Sequence, residues 1–155
     1  MRTMSLFEAA AMFAVQGSEI VIALHEGLEK AAQIVEDEAK SEIGTYQDGV
    51  GGIFAGWQEL ADSTKADRVA QGFPENEPLL RTGEMRDSIE HSVEGLTALV
   101  GSDSDIALWQ ELGTDKIPPR SFLGGAAFRK QDEVAEIIGD AGFAVIAGGE
   151  AKVRF

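Results

Sequence analysis

The sequence of 155 residues contains no cysteine, only two histidines and a single tyrosine. Without cysteine the chain forms neither disulfides nor thiolate metal sites, which fits assembly in a reducing cytoplasm. Basic residues are also scarce, because 13 Lys and Arg stand against 27 Asp and Glu, for a net charge of −14. Binding to a phosphate backbone depends on basic residues that displace counterions, so this composition argues against sequence-specific DNA binding.

Long apolar runs are missing as well. No uninterrupted apolar segment approaches the length that a membrane-spanning helix needs. Residues 1–15 are largely apolar, but Glu8 interrupts them and no basic region or cleavage pattern accompanies them, so no signal peptide is predicted. With 44% hydrophobic and 26% charged residues, the composition is that of a soluble globular protein. We predict a single domain over residues 1–155.

Motifs for catalysis or metal binding are not recognisable. His25 and His91 have no second histidine or carboxylate at the spacing of metal ligands. The run 102–105 lacks the spacing of a calcium loop, and we interpret it as helix capping. The glycine-rich residues 49–56 lack the Lys-Ser/Thr ending of a phosphate-binding loop, and no nucleophile elbow is present. We therefore predict a non-enzymatic protein with no cofactor and no metal.

Two long amphipathic helices are predicted near the ends of the chain. The first runs from about residue 4 to 41, and Gly17-Ser18 predicts a kink or break within it. Residues 1–16 then form an N-terminal helical arm, which either docks on a neighbouring subunit or folds back onto its own core. The second helix has its apolar face from Ala127 to Ala141, with Gly142 as a candidate end and Ile146 as a possible extension.

A β-hairpin is predicted between these helices. Ile89, His91 and Val93 alternate with polar residues, which is the period-two pattern of a half-buried strand. Glu94-Gly95 offers a two-residue turn, and a second alternating segment follows to residue 101. The predicted fold class is α+β, with a small, mostly antiparallel twisted sheet packed against a long N-terminal helix and a C-terminal helix.

A short helix is predicted directly after the hairpin, with N-cap candidates at 102–105 and a stop at Gly113. Its apolar residues Ile106, Trp109 and Leu112 are spaced three apart. Because this stripe needs a surface to cover it, we expect Trp109 to be largely buried with Leu112, Ile89 and Val93.

Two turn-rich segments and a tail complete the chain. Residues 44–56 contain five glycines and form a predicted loop, and residues 72–78 form a second one. Between them, Trp57, Leu60 and Ala61 predict the start of a short helix. The tail 150–155 is basic and alternating, which indicates an added edge strand or an arm on an acidic partner, with disorder as the alternative.

The pair Pro118-Pro119 predicts a rigid extended arm, because proline neither continues a helix nor donates a backbone hydrogen bond. This arm delivers Arg120 and Phe122 to a defined place. We expect Arg120 to pair with a carboxylate or a carbonyl, within the subunit or across to a neighbour, since its planar guanidinium group holds its donors in the geometry of such bonds.

Four groups of residues follow one another in a characteristic order: Leu79–Ile89, Val100–Ser102, Ala107 with Glu111–Thr114, and Pro118–Leu123. This series resembles the neck and tail-completion proteins of long-tailed bacteriophages. Residues 57, 60, 64 and 68 are also similar to a wider relative, the virion-morphogenesis protein of Mu-like phages. The resemblance covers roughly residues 55 to 130, and it departs from the family at Ile106, where an aromatic is usual, and at Ser121, where a second proline is common.

The resemblance implies a structural virion protein at the head-to-tail junction, assembled in the host cytoplasm. Such proteins form rings, commonly of six copies, which contact head-completion or stopper, tail-terminator or tail-tube proteins. Duplex DNA passes through such a ring, and an acidic wall would keep it from sticking. The alternative interpretation is that the negative charge serves only the solubility of the protein. The candidate interface residues, each with a core or capping role as the alternative, are Trp57, Arg81, Arg86, Trp109, Arg120, Phe122 and Phe155.

A different function remains open at this point. The chain is alternatively a non-enzymatic binding module for a peptide or small ligand, with the Pro118-Pro119-Arg120 arm as a pocket wall. A third and more remote reading is an enzyme whose site assembles from residues that lie far apart in the sequence.

Overall fold

The computed structural model describes residues 5–146. It confirms the α+β class, because a long N-terminal helix and a C-terminal helix accompany a two-stranded antiparallel sheet. Phe155, the tail 150–155 and the first four residues of the predicted arm lie outside the described residues. The elements in order are α1 (Leu6–Glu42), α2 (Asp62–Ala70), α3 (Glu84–Asp87), β1 (Ile89–Glu94), β2 (Thr97–Ser102), α4 (Asp105–Leu112) and α5 (Leu123–Ile146).

Helices α1 and α5 pack against each other in antiparallel directions. At one end Arg129 Nη1 donates to Glu42 Oε1, and further along a Cβ placed on Gly27 would lie 3.0 Å from Ala141 Cβ. The missing side chain at Gly27 lets the two helices approach closely there. None of the helices in the described range is both long and apolar enough to cross a membrane.

The predicted break at Gly17-Ser18 is wrong, because α1 is one continuous helix of 37 residues. Ser18 Oγ donates to the carbonyl of Val15 within the helix, so its hydroxyl is satisfied without leaving helical geometry. One glycine costs a helix about 1 kcal/mol relative to alanine, which is too little to end a helix of this length. Helix α5 begins at Leu123 and continues past Gly142 to Ile146, which is the longer of the two predicted alternatives.

The hairpin forms as predicted, with its turn one residue later. Glu94 pairs with Thr97, so Gly95 and Leu96 form the two-residue connection. Gly95 has φ 58°, a conformation that glycine adopts at little cost. Ile89 is buried on the face toward α1, while alternate residues of β1 are exposed, which confirms the period-two pattern.

The hydrophobic core gathers where the C-terminal end of α1 meets the base of the hairpin and the first turns of α5. Small residues let these elements approach, and large ones from the loops fill the space between them. The buried residues of this cluster are Ala39, Ile43, Trp57, Met85, Ile89, Ala107, Phe122 and Ala126.

The helix predicted to start at Trp57 begins only at Asp62. Residues 57–61 are extended because their backbone groups bond elsewhere. Trp57 N donates to the Gln47 carbonyl at 2.9 Å, and Leu60 N donates to the hydroxyl of Tyr46 at 3.0 Å. These partners lie outside any helix, so they override the local apolar spacing.

Histidine–carboxylate contacts fasten the hairpin to α1. His91 Nδ1 lies 2.5 Å from Glu36 Oε2, and His91 Nε2 lies 3.3 Å from Glu29 Oε2. The hydrogen bond with Glu36 raises the pKa of His91, against the effect of burial. Burial pushes the pKa of Glu36 upward, but its bonds with Lys40 and His91 outweigh burial and leave that pKa lowered.

We expect the substitution His91→Gln to destabilise the protein by about 1–2 kcal/mol at pH 6, because a charge-assisted bond is lost. A histidine with a raised pKa in the folded state stabilises the protein below its unfolded pKa, and this contribution is lost as pH rises through the folded pKa. The difference between wild type and variant should therefore shrink above pH 7. Urea denaturation at pH 6 and pH 9 tests this, with Glu90→Gln on the exposed side of β1 as control. A difference that does not change with pH would contradict the assignment.

Candidate interaction surface

Helix α4 packs with its polar side inward. Ala107, Gln110 and Glu111 are three and four residues apart and so share one face, which lies against the protein. Ala107 is only 2% exposed, and Gln110 and Glu111 both bond to the segment that leads into α5. The large apolar side chains of the helix point outward instead. We call these exposed residues the α4 face: Ile106, Leu108, Trp109 and Leu112.

The prediction that Trp109 is buried with Leu112, Ile89 and Val93 is therefore wrong. Trp109 is 48% exposed and Leu112 is 70% exposed. The expectation assumed that an apolar stripe on a short helix turns toward the nearest sheet face. In the structure that face of the hairpin is covered by α1, and the inward side of α4 is occupied by polar bonds.

The Glu111 carboxylate caps the first turn of α5. Its Oε2 accepts hydrogen bonds from Phe122 N at 2.8 Å and Leu123 N at 2.9 Å. Its Oε1 accepts from Gly124 N at 2.9 Å and from the Ser121 hydroxyl at 2.5 Å. The first N–H groups of a helix have no partner within the helix, and a negative charge there also interacts favourably with the helix dipole. Glu111 thus fixes α4 to the start of α5.

The Arg120 guanidinium fastens the same region to residues 58 and 59. Its side chain is buried, with Nε and Nη2 donating to the Gln58 carbonyl at 3.1 and 2.8 Å and Nη2 also donating to the Glu59 carbonyl at 3.3 Å. Nη1 donates to Gln110 Oε1 at 3.5 Å. Burial lowers the pKa of Arg120, although a guanidinium stays protonated in proteins. The prediction that Arg120 pairs with a carbonyl is confirmed, and the pairing lies within the subunit.

Gly113 closes the turn between α4 and the proline arm. It has φ 75°, and a Cβ at this position would lie 2.9 Å from Pro119 N and from the Ile117 carbonyl. Any side chain would therefore collide with the arm. The predicted stop at Gly113 is confirmed, and close packing adds to the conformational reason for glycine.

A second buried charge cluster joins α1, α5 and the glycine-rich loop. Arg129 donates to Glu42 Oε1 at 2.5 Å and to the Asp48 carbonyl at 2.8 Å. Glu42 is 2% exposed, and its Oε2 has no hydrogen-bond partner. Burial raises the pKa of Glu42 to about 7, against the opposing effect of Arg129. A carboxyl that is costly to ionise thus lies under the loop.

The glycine-rich loop packs on α5. The rings of Phe54 and Phe128 meet edge to face with centroids 6.3 Å apart. A Cβ on Gly51 would lie 2.3 Å from Phe128, and one on Gly124 would lie 2.7 Å from Phe54. Glycine at both positions is what allows this close contact. Residues 44–56 form a loop as predicted, apart from one bridge between Val50 and Phe54.

Six of the seven predicted interface residues lie in the described part of the chain and fall into two groups, and the seventh, Phe155, lies outside it. Three are buried and take the core or bonding role that the sequence left open as the alternative: Trp57, Arg120 and Phe122. The others lie at the surface in whole or in part, and their interface role stays a prediction: Arg81, Arg86 and Trp109. Arg81 binds Asp67 at 2.7 Å and lies over the Phe73 ring, while Arg86 bonds to Asp87.

Three structural residues were missed by the sequence reasoning. Arg68 is buried and donates to the carbonyls of Pro74 and Leu80, and Glu111 and Gln110 hold the start of α5 and Arg120. Residue 68 and Glu111 lie at positions that carry the resemblance, but no local pattern indicated their bonds, because their partners lie six to 13 residues away. The sequence of α4 did carry one signal that part of its apolar surface is exposed. Five of its eight residues are apolar, which is more than one side of a short helix can bury.

Within residues 5–146, no group of three or more His, Asp or Glu side chains is placed to hold a metal ion. No family model matches the chain, and no curated protein or solved structure is significantly similar to it. Its function is therefore inferred from its own residues.

We expect Glu111→Ala to destabilise the fold by about 2 kcal/mol or more, because three backbone N–H groups lose a charged cap. Urea denaturation at pH 7 measures the change. Glu136→Ala on the exposed side of α5 is the matched control and should change the free energy of unfolding by less than about 0.5 kcal/mol. Equal stability of the two variants would show that the cap contributes little.

The buried Glu42 predicts a specific pH dependence. A carboxyl whose pKa is raised on folding stabilises the protein fully below its unfolded value near 4.5, and this contribution is lost as pH rises toward about 7. We expect Glu42→Gln to flatten the decline of unfolding free energy between pH 5 and 7. The slope has an upper limit of about 1.4 kcal/mol per pH unit for one group. Glu90→Gln should leave the slope unchanged, and an unchanged slope in Glu42→Gln would overturn the assignment.

Proposed function

We propose that this chain is a structural, non-enzymatic component of a phage-like virion. In this proposal it forms a ring, commonly of six copies, at the neck or the top of the tail. The ring joins tail to head and lets duplex DNA pass without binding it sequence-specifically. Its partners are further copies of itself and adjacent head-completion or stopper, tail-terminator or tail-tube proteins.

The α4 face is the observation that carries this proposal. Four large apolar side chains on one short helix are at least 48% exposed, and one of them is a tryptophan. Grouped exposed apolar residues mark interaction sites, and tryptophan is among the residues that contribute most to interface energies. The geometry therefore supports a binding function of α4.

Two of the segments that resemble the phage family, Glu111–Thr114 and Pro118–Leu123, also meet at the C-terminal end of α4. Gly113 packs on Pro119, Glu111 caps the helix that starts at Leu123, and Arg120 fixes residues 58 and 59. These bonds hold α4 in one orientation. These motifs therefore have a structural role, because together they hold α4 so that the α4 face is exposed.

Charge agrees with a passage for DNA. At −14, the chain repels a phosphate backbone, so DNA would pass along a wall of such subunits without adhering. The same charge makes the subunits repel one another. At 0.1 M salt this repulsion is largely screened between exposed charges that lie more than about 10 Å apart. Assembly should therefore be favoured by higher ionic strength or by a partner ring.

The alternative function is a binding module for a peptide or small ligand, with the proline arm as its pocket wall. The bonds of this arm support that alternative less well. Arg120 is the group with which the proline arm would hold a ligand, and its donors are bonded inside the chain.

We expect the wild-type chain to form oligomers whose fraction increases with salt, and the double variant Trp109→Ser with Leu112→Ser to remain monomeric under the same conditions. Both residues are exposed, so the variant should keep its unfolding free energy within about 0.5–1 kcal/mol. Size-exclusion chromatography with light scattering measures the oligomeric state, and urea denaturation checks the fold.

The matched control is Val69→Ser, which removes an exposed apolar side chain from α2. This variant should assemble like the wild type. The proposed function would be contradicted if the wild-type chain stayed monomeric at every salt concentration and were absent from purified particles. That result would favour the binding-module alternative.

A further inference from the structure

Both histidines of the chain lie where the hairpin meets α1. His25 of α1 has its Nδ1 2.9 Å from the carbonyl oxygen of Gly95 in the hairpin turn. Glu29 lies between the two imidazole rings, because its Oε1 is 3.8 Å from His25 Nε2 and its Oε2 is 3.3 Å from His91 Nε2. Lys40 donates to Glu36 Oε1 at 2.5 Å, and Glu36 Oε2 contacts His91. We call these connected side chains the histidine cluster: His25, Glu29, Glu36, Lys40 and His91.

The geometry at His91 fits a protonated ring. Its Nδ1 faces a carboxylate oxygen of Glu36, and its Nε2 faces a carboxylate oxygen of Glu29. An ionised carboxylate only accepts hydrogen bonds, and a neutral imidazole has a single N–H. A neutral ring would therefore leave the lone pair of one nitrogen against a carboxylate, whereas an imidazolium donates to both. The raised pKa of His91 agrees with this, since its bond with Glu36 is the largest cause.

The charges that face His91 come from α1. The residue opposite His91 on β2 is Val100, which carries no charge. Two further charged residues of β1 lie on its exposed side: Glu90 and Glu94. Helix α3, which directly precedes β1, carries three charged residues: Glu84, Arg86 and Asp87. Arg86 bonds Asp87 at 3.0 Å. The protonation of His91 thus depends mainly on the two α1 carboxylates.

Only the base of the hairpin is fixed by buried side chains. Ile89 is fully buried in the core, and the hydroxyls of Ser88 and Ser102 lie 2.7 Å apart. None of residues 90–100 is buried. A segment with few buried apolar contacts opens locally at a lower free energy than the core does. The histidine cluster therefore contributes a large share of what holds residues 90–100 on α1.

We propose that the histidine cluster is a proton-dependent latch, which holds residues 90–100 on α1 while His91 is protonated and lets them open locally when its ring is neutral. The stabilisation is complete below the unfolded pKa of His91, near 6.5, and is lost as pH rises through the raised folded pKa. The pKa of Glu36 is lowered, so this carboxylate stays ionised over that range. The latch acts within one subunit and does not depend on the proposed ring.

Hydrogen exchange followed by mass spectrometry measures this local opening. We would label the wild-type chain at pH 6 and pH 9, with labelling times scaled for the pH dependence of chemical exchange. Residues 133–141 of α5 report the rest of the fold. Relative to them, the protection of residues 90–100 is expected to fall about three- to tenfold at pH 9, the ratio that corresponds to the loss of about one net hydrogen bond.

The substitution Glu29→Gln separates a proton-dependent latch from a contact that is merely structural. The introduced amide can donate to Nε2 of a neutral ring, whose one N–H then serves Glu36. This variant should keep residues 90–100 protected at pH 9 and lose most of the pH effect. His91→Gln should also lose the pH effect, with low protection at both pH values. Glu90→Gln, on the exposed side of β1, is the matched control and should behave like the wild type.

The proposal is overturned if residues 90–100 of the wild type show no pH effect beyond that of residues 133–141. It is equally overturned if Glu29→Gln or His91→Gln retains the full effect. A fall in protection that is equal in both segments also contradicts it, because that result indicates global unfolding. The labelling uses dilute protein at low salt, where the proposed assembly is disfavoured, so these results leave the proposed function to its own test.

Discussion

The four hydrogen bonds accepted by the Glu111 carboxylate determine how α4 is oriented against the rest of the described chain. They connect the C-terminal turn of α4 to the first N–H groups of α5, across the proline arm. Gln110, on the same side of α4, accepts from Arg120, which in turn holds the extended residues 58 and 59. Since three separated segments meet in these bonds, the loss of one partner would leave several buried groups unsatisfied.

This constraint explains why α4 displays its apolar residues. Rotating the helix to bury Trp109 would withdraw Glu111 and leave three N–H groups and one hydroxyl without their acceptor. Each unsatisfied buried group costs about 1–3 kcal/mol, which together exceeds the gain of about 1.5–3 kcal/mol from burying one large apolar side chain. The α4 face therefore stays exposed in the described chain, because the orientation of α4 that would bury Trp109 is more costly.

Sequence patterns predicted those elements whose partners lie close in the chain. The alternation of Ile89, His91 and Val93 and the stop at Gly113 follow from local chemistry, and the structure confirms them. The prediction that Arg120 bonds to a carbonyl came from the chemistry of its side chain, whereas its distant partners at residues 58 and 59 were not predicted. The burial of Trp109 and the helix at residues 57–61 were wrong because distant polar groups decided both. The sequence thus predicted that the candidate site contains a helix with a tryptophan. It did not predict which side of that helix faces outward. An amphipathic pattern indicates two faces, and only the tertiary bonds determine which face is inside.

The continuity of α1 decides what its N-terminal residues can do. An isolated helix of about 15 residues is marginal in water, whereas a segment that continues an already packed helix avoids the cost of nucleation. Had the helix broken at Gly17, the apolar residues before it would have been able to fold back onto α5, the alternative that the sequence left open. Because the helix continues, those residues are held away from their own core and stay exposed. The helix that completes the core at residues 23–43 thereby carries an apolar surface away from the described part of that core.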